Sequence, residues 1–331
     1  MRSSPQQDLG KAGSKNPGSG IFFDLGDGIY CIDALYTARD IACCYLLVAG
    51  NECALIETGT TYSVGNIEAT LRSLGIDRPA LRYIIPTHIH LDHAGGAGQL
   101  MQRFPNATLL VHPRGARHML DPTRLVASSK QVYGEELFSS LYGEILPIGE
   151  ARLQTLADGV SFSVGDRELR VRHTRGHADH HFCLYDAHSD GWFTGDMFGV
   201  SYARQRFADG DFVMPATTPT QFDPALYAES IQRLAAGKPR RFYLTHFGAL
   251  PFHEAQCMMM LRQLERYAEL GRDYTGDIAR LEEDVLRVTR EELCHFLDPR
   301  TADEEVRALH MDAKLNAQGI AWWSASQASR A

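Results

Sequence analysis

From Ile21 to about Leu250, apolar positions gather in short runs broken by Gly, Pro, Asn and Asp. That texture predicts strands alternating with helices. Phe22-Phe23 and Ile29 to Ile32 predict a hairpin about Gly26-Asp27-Gly28. Cys43 to Val48 and Cys53 to Glu57 predict a second, turning at Gly50-Asn51. Ser63 to Leu74 switches to helical spacing, with Val64, Ile67, Leu71 and Leu74 on one face and Gly75 as the stop. Leu81 to Pro86 reads as a buried strand, Gly98 to Phe104 as a short helix and Thr108 to Val111 as another strand. Strand character returns at Arg152 to Leu156, Val160 to Val164, Leu169 to His173, Phe182 to Tyr185, Trp192 to Thr194 and Phe242 to Leu244. An amphipathic helix is predicted over Pro224 to Ala236.

Residues 113–146 mix helix-like pieces (Leu125 to Tyr142) with polar loops. They carry His118, Tyr133, Phe138 and Tyr142, an aromatic set suited to the wall of a small-molecule pocket, and are read as a cover segment. After Pro251 the pattern becomes helical over Glu254 to Leu270, Asp277 to Arg287 and Glu291 to Leu297. Thr289 with Glu292, and Thr301 with Glu304, read as capping boxes. These stripes are too short for an independent core. The tail is therefore expected to pack near the mouth of the site or on the second subunit of a homodimer. The chain divides into a polar leader (1–20), a catalytic body (21–250) and a helical C-terminal extension (251–331).

Composition changes this picture little. The 331 residues carry a net charge of −8 with no long basic run, which argues against nucleic acid or an anionic membrane as partner. The longest useful apolar stretch, Ile41 to Ala49, is too short to span a bilayer. The leader, rich in Ser, Gly, Pro and Lys, has no apolar segment of signal-peptide type and reads as flexible. Seven cysteines, an odd count without Cys-x-x-Cys and mostly in apolar segments, suit a reducing cytoplasm.

The chemistry is concentrated after the strand Leu81 to Pro86, in Thr87-His88-Ile89-His90-Leu91-Asp92-His93-Ala94-Gly95-Gly96. Imidazole and carboxylate are the ligands of zinc and its first-row neighbours, and a tight loop at a strand end aims several of them at one point. Three later positions share that context: Gly176-His177, Gly195-Asp196 and Thr245-His246 each follow a predicted strand. Glycine beside a ligand lets backbone approach a crowded centre.

The series His88-x-His90-x-Asp92-His93, His177, Asp196, His246 resembles the metallo-β-lactamase superfamily over roughly Ile21 to Leu250. By texture it is most similar to the glyoxalase II-like hydrolases and to stand-alone members sharing the segment Val111 to His118. The resemblance implies an αββα sandwich of two mixed sheets with helices outside. It also implies two divalent metals, zinc first, with iron or manganese as alternatives. On that reading His88, His90 and His177 hold metal one, and Asp92, His93 and His246 hold metal two. Asp196 bridges them, and Asp92 also orients the attacking water. A hydroxide shared by both metals would then hydrolyse a small ester, thioester or lactone without a Ser or Cys nucleophile.

The match departs from its relatives in places. Glu57 stands where many have Asp, and is read either as a carboxylate supporting a ligand histidine or as a solvent-facing strand end. His180 and His181 fall on opposite faces of a strand, and neither is read as a ligand. Arg262 and Arg266, one turn apart, do not reconstitute a glutathione site. Tyr202 lies further beyond Asp196 than the tyrosine of lactonases. A mononuclear-iron persulfide dioxygenase and a phosphodiesterase are the alternatives.

Overall fold

The computed structural model describes residues 20–208, 210–217 and 219–328. The expected leader lies, but for Gly20, outside them. Strands β1 (Phe22–Asp24), β2 (Ile29–Asp33), β3 (Cys43–Ala49), β4 (Glu52–Ile56), β5 (Leu81–Ile85), β6 (Thr108–Val111) and β7 (Leu153–Thr155) form one sheet in chain order. Its first four strands are antiparallel and the rest add in parallel. Helices α1 (Val64–Ser73), α2 (Leu91–Ala94) and α3 (Ala97–Arg103) lie in its connections.

The cover segment forms α4 (Ala116–Leu120), α5 (Thr123–Tyr133) and α6 (Glu135–Tyr142). The predicted helical stretch breaks at Gly134, where φ is +80°.

The second sheet uses β8 (Ser161–Val164), β9 (Arg167–His173), β10 (Phe182–Asp186) and β11 (Gly191–Val200). After a short ribbon, β12 (Arg206–Phe207) with β13 (Gly210–Asp211), the chain runs through α7 (Pro224–Ala235). It completes this sheet with β14 (Arg241–His246) and β15 (Gly248–Pro251), in the order β15-β14-β11-β10-β9-β8.

Side-chain alternation builds the layers. Cys44 and Leu46 of β3, with Cys53 and Leu55 of β4, pack with Val64, Ile67 and Leu71 of α1 and Leu100 of α3. The intervening Cys43, Tyr45, Leu47, Ala54 and Ile56 pack with Val171, Leu184, Phe193 and Tyr243 of the second sheet. The outer face of that sheet, Phe198, Phe242 and Leu244, lies against α7 and the tail. The result is the expected αββα sandwich with a helical C-terminal region.

The tail comprises α8 (Glu254–Asp273), α9 (Ile278–Leu293), α10 (Pro299–Ala308) and α11 (His310–Ala328). Met259, Met260, Leu264, Tyr267, Val285 and Ile320 share one core with the second sheet and Phe212 to Met214. Two local expectations fail. Thr289 starts no helix: it is buried inside the continuous α9, where its hydroxyl donates to Val285 O at 2.9 Å. α10 is capped by Asp298, whose carboxylate accepts the N–H groups of Arg300 and Thr301, so Thr301 stands inside the first turn.

Six of the seven cysteines are buried, Cys294 is exposed, and all are free. Among the described residues no helix is long and apolar enough to cross a membrane.

Candidate metal centre

β5 delivers the His-rich turn, and α2, a single turn, sets its shape. The N–H groups of His93 and Ala94 both donate to His90 O, at 3.0 and 2.8 Å, and the Thr58 hydroxyl donates to His93 O at 2.7 Å. His177 stands in the loop between β9 and β10, and His246 is the last residue of β14.

Asp196 differs from its expected setting. It lies inside β11 rather than in a loop beyond it, where the pairing with β14 shifts register on both sides of Gly195. That bulge re-aims the side chain. A Cβ on Gly195, at φ +51°, would sit 2.3 Å from Thr87 Oγ1 and 2.6 Å from His181 Nε2. Only glycine lets β11 pass there.

The seven predicted residues converge. His88 Nε2, His90 Nδ1 and His177 Nε2 are 2.8 to 3.3 Å from one another. Asp92 Oδ2 stands 3.7 Å from His93 Nε2 and 3.5 Å from His246 Nε2. Asp196 spans the two groups. Its Oδ2 faces His177 Nε2 at 3.4 Å and His88 Nε2 at 4.0 Å; its Oδ1 faces His93 Nε2 at 3.2 Å and His246 Nε2 at 3.6 Å.

The outer nitrogens explain the orientation. His177 Nδ1 donates to Ala216 O at 2.8 Å and His246 Nδ1 to Ile41 O at 2.9 Å. His88 Nδ1 meets Thr87 Oγ1 at 3.1 Å, and His93 Nδ1 lies 3.1 Å from Glu57 Oε1. Holding Nδ1 of His88, His177 and His246 leaves their Nε2 turned inward, while His93 Nδ1 faces the Glu57 carboxylate without a hydrogen bond among the described residues.

Glu57 is therefore the buried support, not a solvent-facing strand end. Its backbone is held at φ +65°, and its carboxylate also accepts from Thr87 N–H, Thr87 Oγ1 and Thr245 Oγ1 at 3.1, 2.5 and 3.1 Å.

Electrostatics separate the two groups. Burial, with neighbouring imidazoles, holds His88 and His90 well below the usual histidine range, so both are neutral. Burial also pulls His246 down, but Asp196 and Asp92 outweigh it and push it up to about 9. His93 is raised in the same way by Asp196, Asp92 and Glu57. Burial pushes Asp92 up, yet His93 and His246 carry it down to about 2. Three carboxylates around two imidazoles favour positive charge at that point.

The donor set fits divalent metal. His93 Nε2 and Asp196 Oδ1 are buried and make no hydrogen bond among the described residues, although they face each other. Ligands about 2.0–2.1 Å from a tetrahedral ion stand roughly 3.3 Å apart, close to the spacing of the three imidazole nitrogens. The atoms of His88, His90 and His177 could hold one ion, and those of Asp92, His93 and His246 another. Glu57 with His88 and His93 is a third grouping within reach, but Glu57 is already engaged by Thr87 and Thr245.

A family model described as the metallo-β-lactamase superfamily matches residues 38–246. The chain belongs to that superfamily. It is 26% identical over 261 residues to the metallo-β-lactamase fold-containing protein ST1585 of Sulfurisphaera tokodaii, covering 76% of this chain and 92% of that one. The ST1585 crystal structure superposes with a TM-score of 0.58, covering 71% and 85%. TTHA1429 of Thermus thermophilus, a metallo-β-lactamase family protein, gives 0.63 at 20% identity, covering 92% of this chain and 95% of that one. The acyl-coenzyme A thioesterase MBLAC2 of Gallus gallus is 28% identical over 188 residues, 52% of this chain and 64% of its own length.

Further histidines lie close to these side chains or on the cover. His181 Nδ1 meets Thr174 Oγ1 at 2.7 Å, and its Nε2 accepts from Asp196 N–H at 3.3 Å, so it braces β11. His180 packs its ring on His88 and His90. His112 lies against His173, and His118 Nε2 accepts from Arg117 Nε at 3.1 Å.

The cover packs directly on the ligand turn. Leu91 clusters with Phe138 and Tyr142, and Tyr36 and Tyr133 join them. Tyr36, in the loop after β2, was not legible as a site residue; its hydroxyl lies 3.2 Å from that of Tyr142.

Proposed function

We propose that this chain is a metal-dependent hydrolase of a small ester, thioester or lactone. The observation that carries the reading is Asp196, one carboxylate turned to two histidine groups at once, Oδ2 toward His88 and His177 and Oδ1 toward His93 and His246. His88, His90 and His177 would hold one divalent ion, and Asp92, His93 and His246 the second. Such ions supply Lewis acidity and a water that ionises near pH 7.

The protein's own groups do the rest. Asp92 is ionised at neutral pH and keeps some solvent contact, so it can accept a proton from water and orient it. Burial and the Asp92 carboxylate push the Tyr36 and Tyr142 phenols up, so both stay protonated; one proton closes the bond between them, and the accepting hydroxyl keeps its own to donate to a substrate oxygen. Phe138 and Leu91 are buried behind the partly exposed Tyr133, which would offer apolar surface to an acyl group.

The thioesterase MBLAC2 among the relatives supports the acyl-transfer reading.

The test is a panel of S-acyl thioester, aryl ester, lactone and phosphodiester. It is run on chain stripped by chelator and reloaded with Zn(II), Mn(II) or Fe(II). Acyl hydrolysis should vanish on stripping and return on reloading, with the phosphodiester far slower. Preferred phosphodiester cleavage, or oxygen consumption with a persulfide, would replace this reading.

A further inference from the structure

The C-terminal helix α11 reaches back toward the centre through one side chain. Asn316 is 2% exposed. Its Oδ1 accepts from Thr217 N–H at 2.8 Å, and its Nδ2 donates to Pro215 O at 2.8 Å. Nδ2 also lies 3.2 Å from the Tyr267 hydroxyl. The Thr217 hydroxyl donates to Asn316 O at 3.1 Å.

The carboxamide thus pairs with residues 215 and 217 as a neighbouring strand would. The carbonyl between them, Ala216 O, accepts from His177 Nδ1. One turn earlier on α11, Asp312 Oδ1 accepts from the Tyr202 hydroxyl at 2.8 Å, a second tie between the tail and the chain that follows Asp196.

We propose that Asn316 is a positioning residue for the metal ligand His177, so that the C-terminal helix is a working part of the centre. This rests on the metal-centre reading above. A proton held on Nδ1 by Ala216 O leaves the Nε2 lone pair for an ion. If the 215–217 segment is released, the ring loses the acceptor that fixes its rotation and tautomer. A carboxamide is suited to the task because it offers a donor and an acceptor from one flat group. Aspartate lacks the donor, and alanine lacks both.

A buried asparagine that merely satisfies its own hydrogen bonds would look similar, so the test separates positioning from stability. Full-length Asn316→Ala, Asn316→Asp and Ile320→Ala are compared with the unaltered chain by Zn(II) competition against a chromophoric chelator and by thermal melting. Ile320 is fully buried on the same helix and contributes only apolar packing. Asn316→Ala should weaken one of two zinc affinities by about 10–100-fold, the range for outer partners of ligating histidines. Asn316→Asp should lose less, because the bond from Thr217 N–H survives. Ile320→Ala should lower Tm and leave both zinc affinities alone.

Unchanged zinc affinity in Asn316→Ala overturns the proposal. So do losses in Asn316→Ala and Ile320→Ala that follow Tm alone. If Asn316→Ala does not fold, unchanged affinities in Asn316→Asp overturn it. An unaltered chain that takes up no Zn(II), Mn(II) or Fe(II) overturns the underlying metal reading instead, a result distinct from equal binding by chain and variants.

Discussion

Glu57→Gln removes one oxygen's charge and keeps the shape, and its cost can be worked from four contacts. Oε2 accepts from Thr87 N–H; Oε1 accepts from the Thr87 and Thr245 hydroxyls and faces His93 Nδ1. If the glutamine oxygen takes the Oε1 place, its NH2 meets the Thr87 N–H, donor against donor. If the NH2 takes that place, His93 must turn its Nδ1 into an acceptor. The imidazole proton then sits on Nε2, the atom aimed at the metal group. Either arrangement leaves one buried donor or acceptor unmatched, worth about 1–3 kcal/mol. Loss of an outer partner costs roughly 10–100-fold in metal affinity, or about 1.4–2.7 kcal/mol. The assay is Zn(II) competition titration with a Tm measured on the same sample. Both zinc constants within twofold of the unaltered chain would refute the argument that Glu57 sets the His93 tautomer.

Other consequences follow from the same geometry. Asp196→Asn should release both metals on dialysis and abolish hydrolysis while far-ultraviolet circular dichroism stays unchanged; retention of two ions would remove its bridging role. In the metal-stripped chain the His246 value of about 9 lies above its unfolded value of 6.5. This imidazole therefore stabilises the stripped fold fully below pH 6.5, and that contribution fades as pH rises through about 9. Metal must displace its proton, so Zn(II) affinity should climb with pH across that window, with proton release seen in weakly buffered titrations. Tyr142→Phe removes the hydroxyl that meets Tyr36 but keeps the packing on Leu91 and Phe138. It should change the ranking of acyl substrates by kcat/KM and leave metal content alone; an identical ranking would reduce this residue to packing.

Much of this was legible in the sequence because its signals are local. The turn from His88 to His93 carries four ligand-type side chains within six residues, and the alternation along β3 and β4 marks both faces of the first sheet. What was illegible depends on distant partners. Glu57 could be read either as a support or as a surface residue, because its partners Thr87, His93 and Thr245 come together only when the two sheets meet. The capping box at Thr289 was misleading because its hydroxyl can bond backward to Val285 O inside a helix as readily as it can start one. The sequence ends the strand carrying Asp196 at Thr194 because glycine reads as a break, whereas Gly195, at φ +51°, makes a bulge inside β11. Tyr36 and Asn316 carried no motif, since their roles come from a loop and a tail helix that fold back on the site.

The central claim is that Asp196 joins two ions. The direct measurement is metal analysis of protein purified without added metal, with anomalous diffraction at the edge of the metal found. The account predicts two ions on either side of Asp196. Each should lie about 2.0–2.2 Å from its donors, one at His88, His90 and His177 and the other at Asp92, His93 and His246. A single ion, none, or ions bound away from these seven side chains would contradict it.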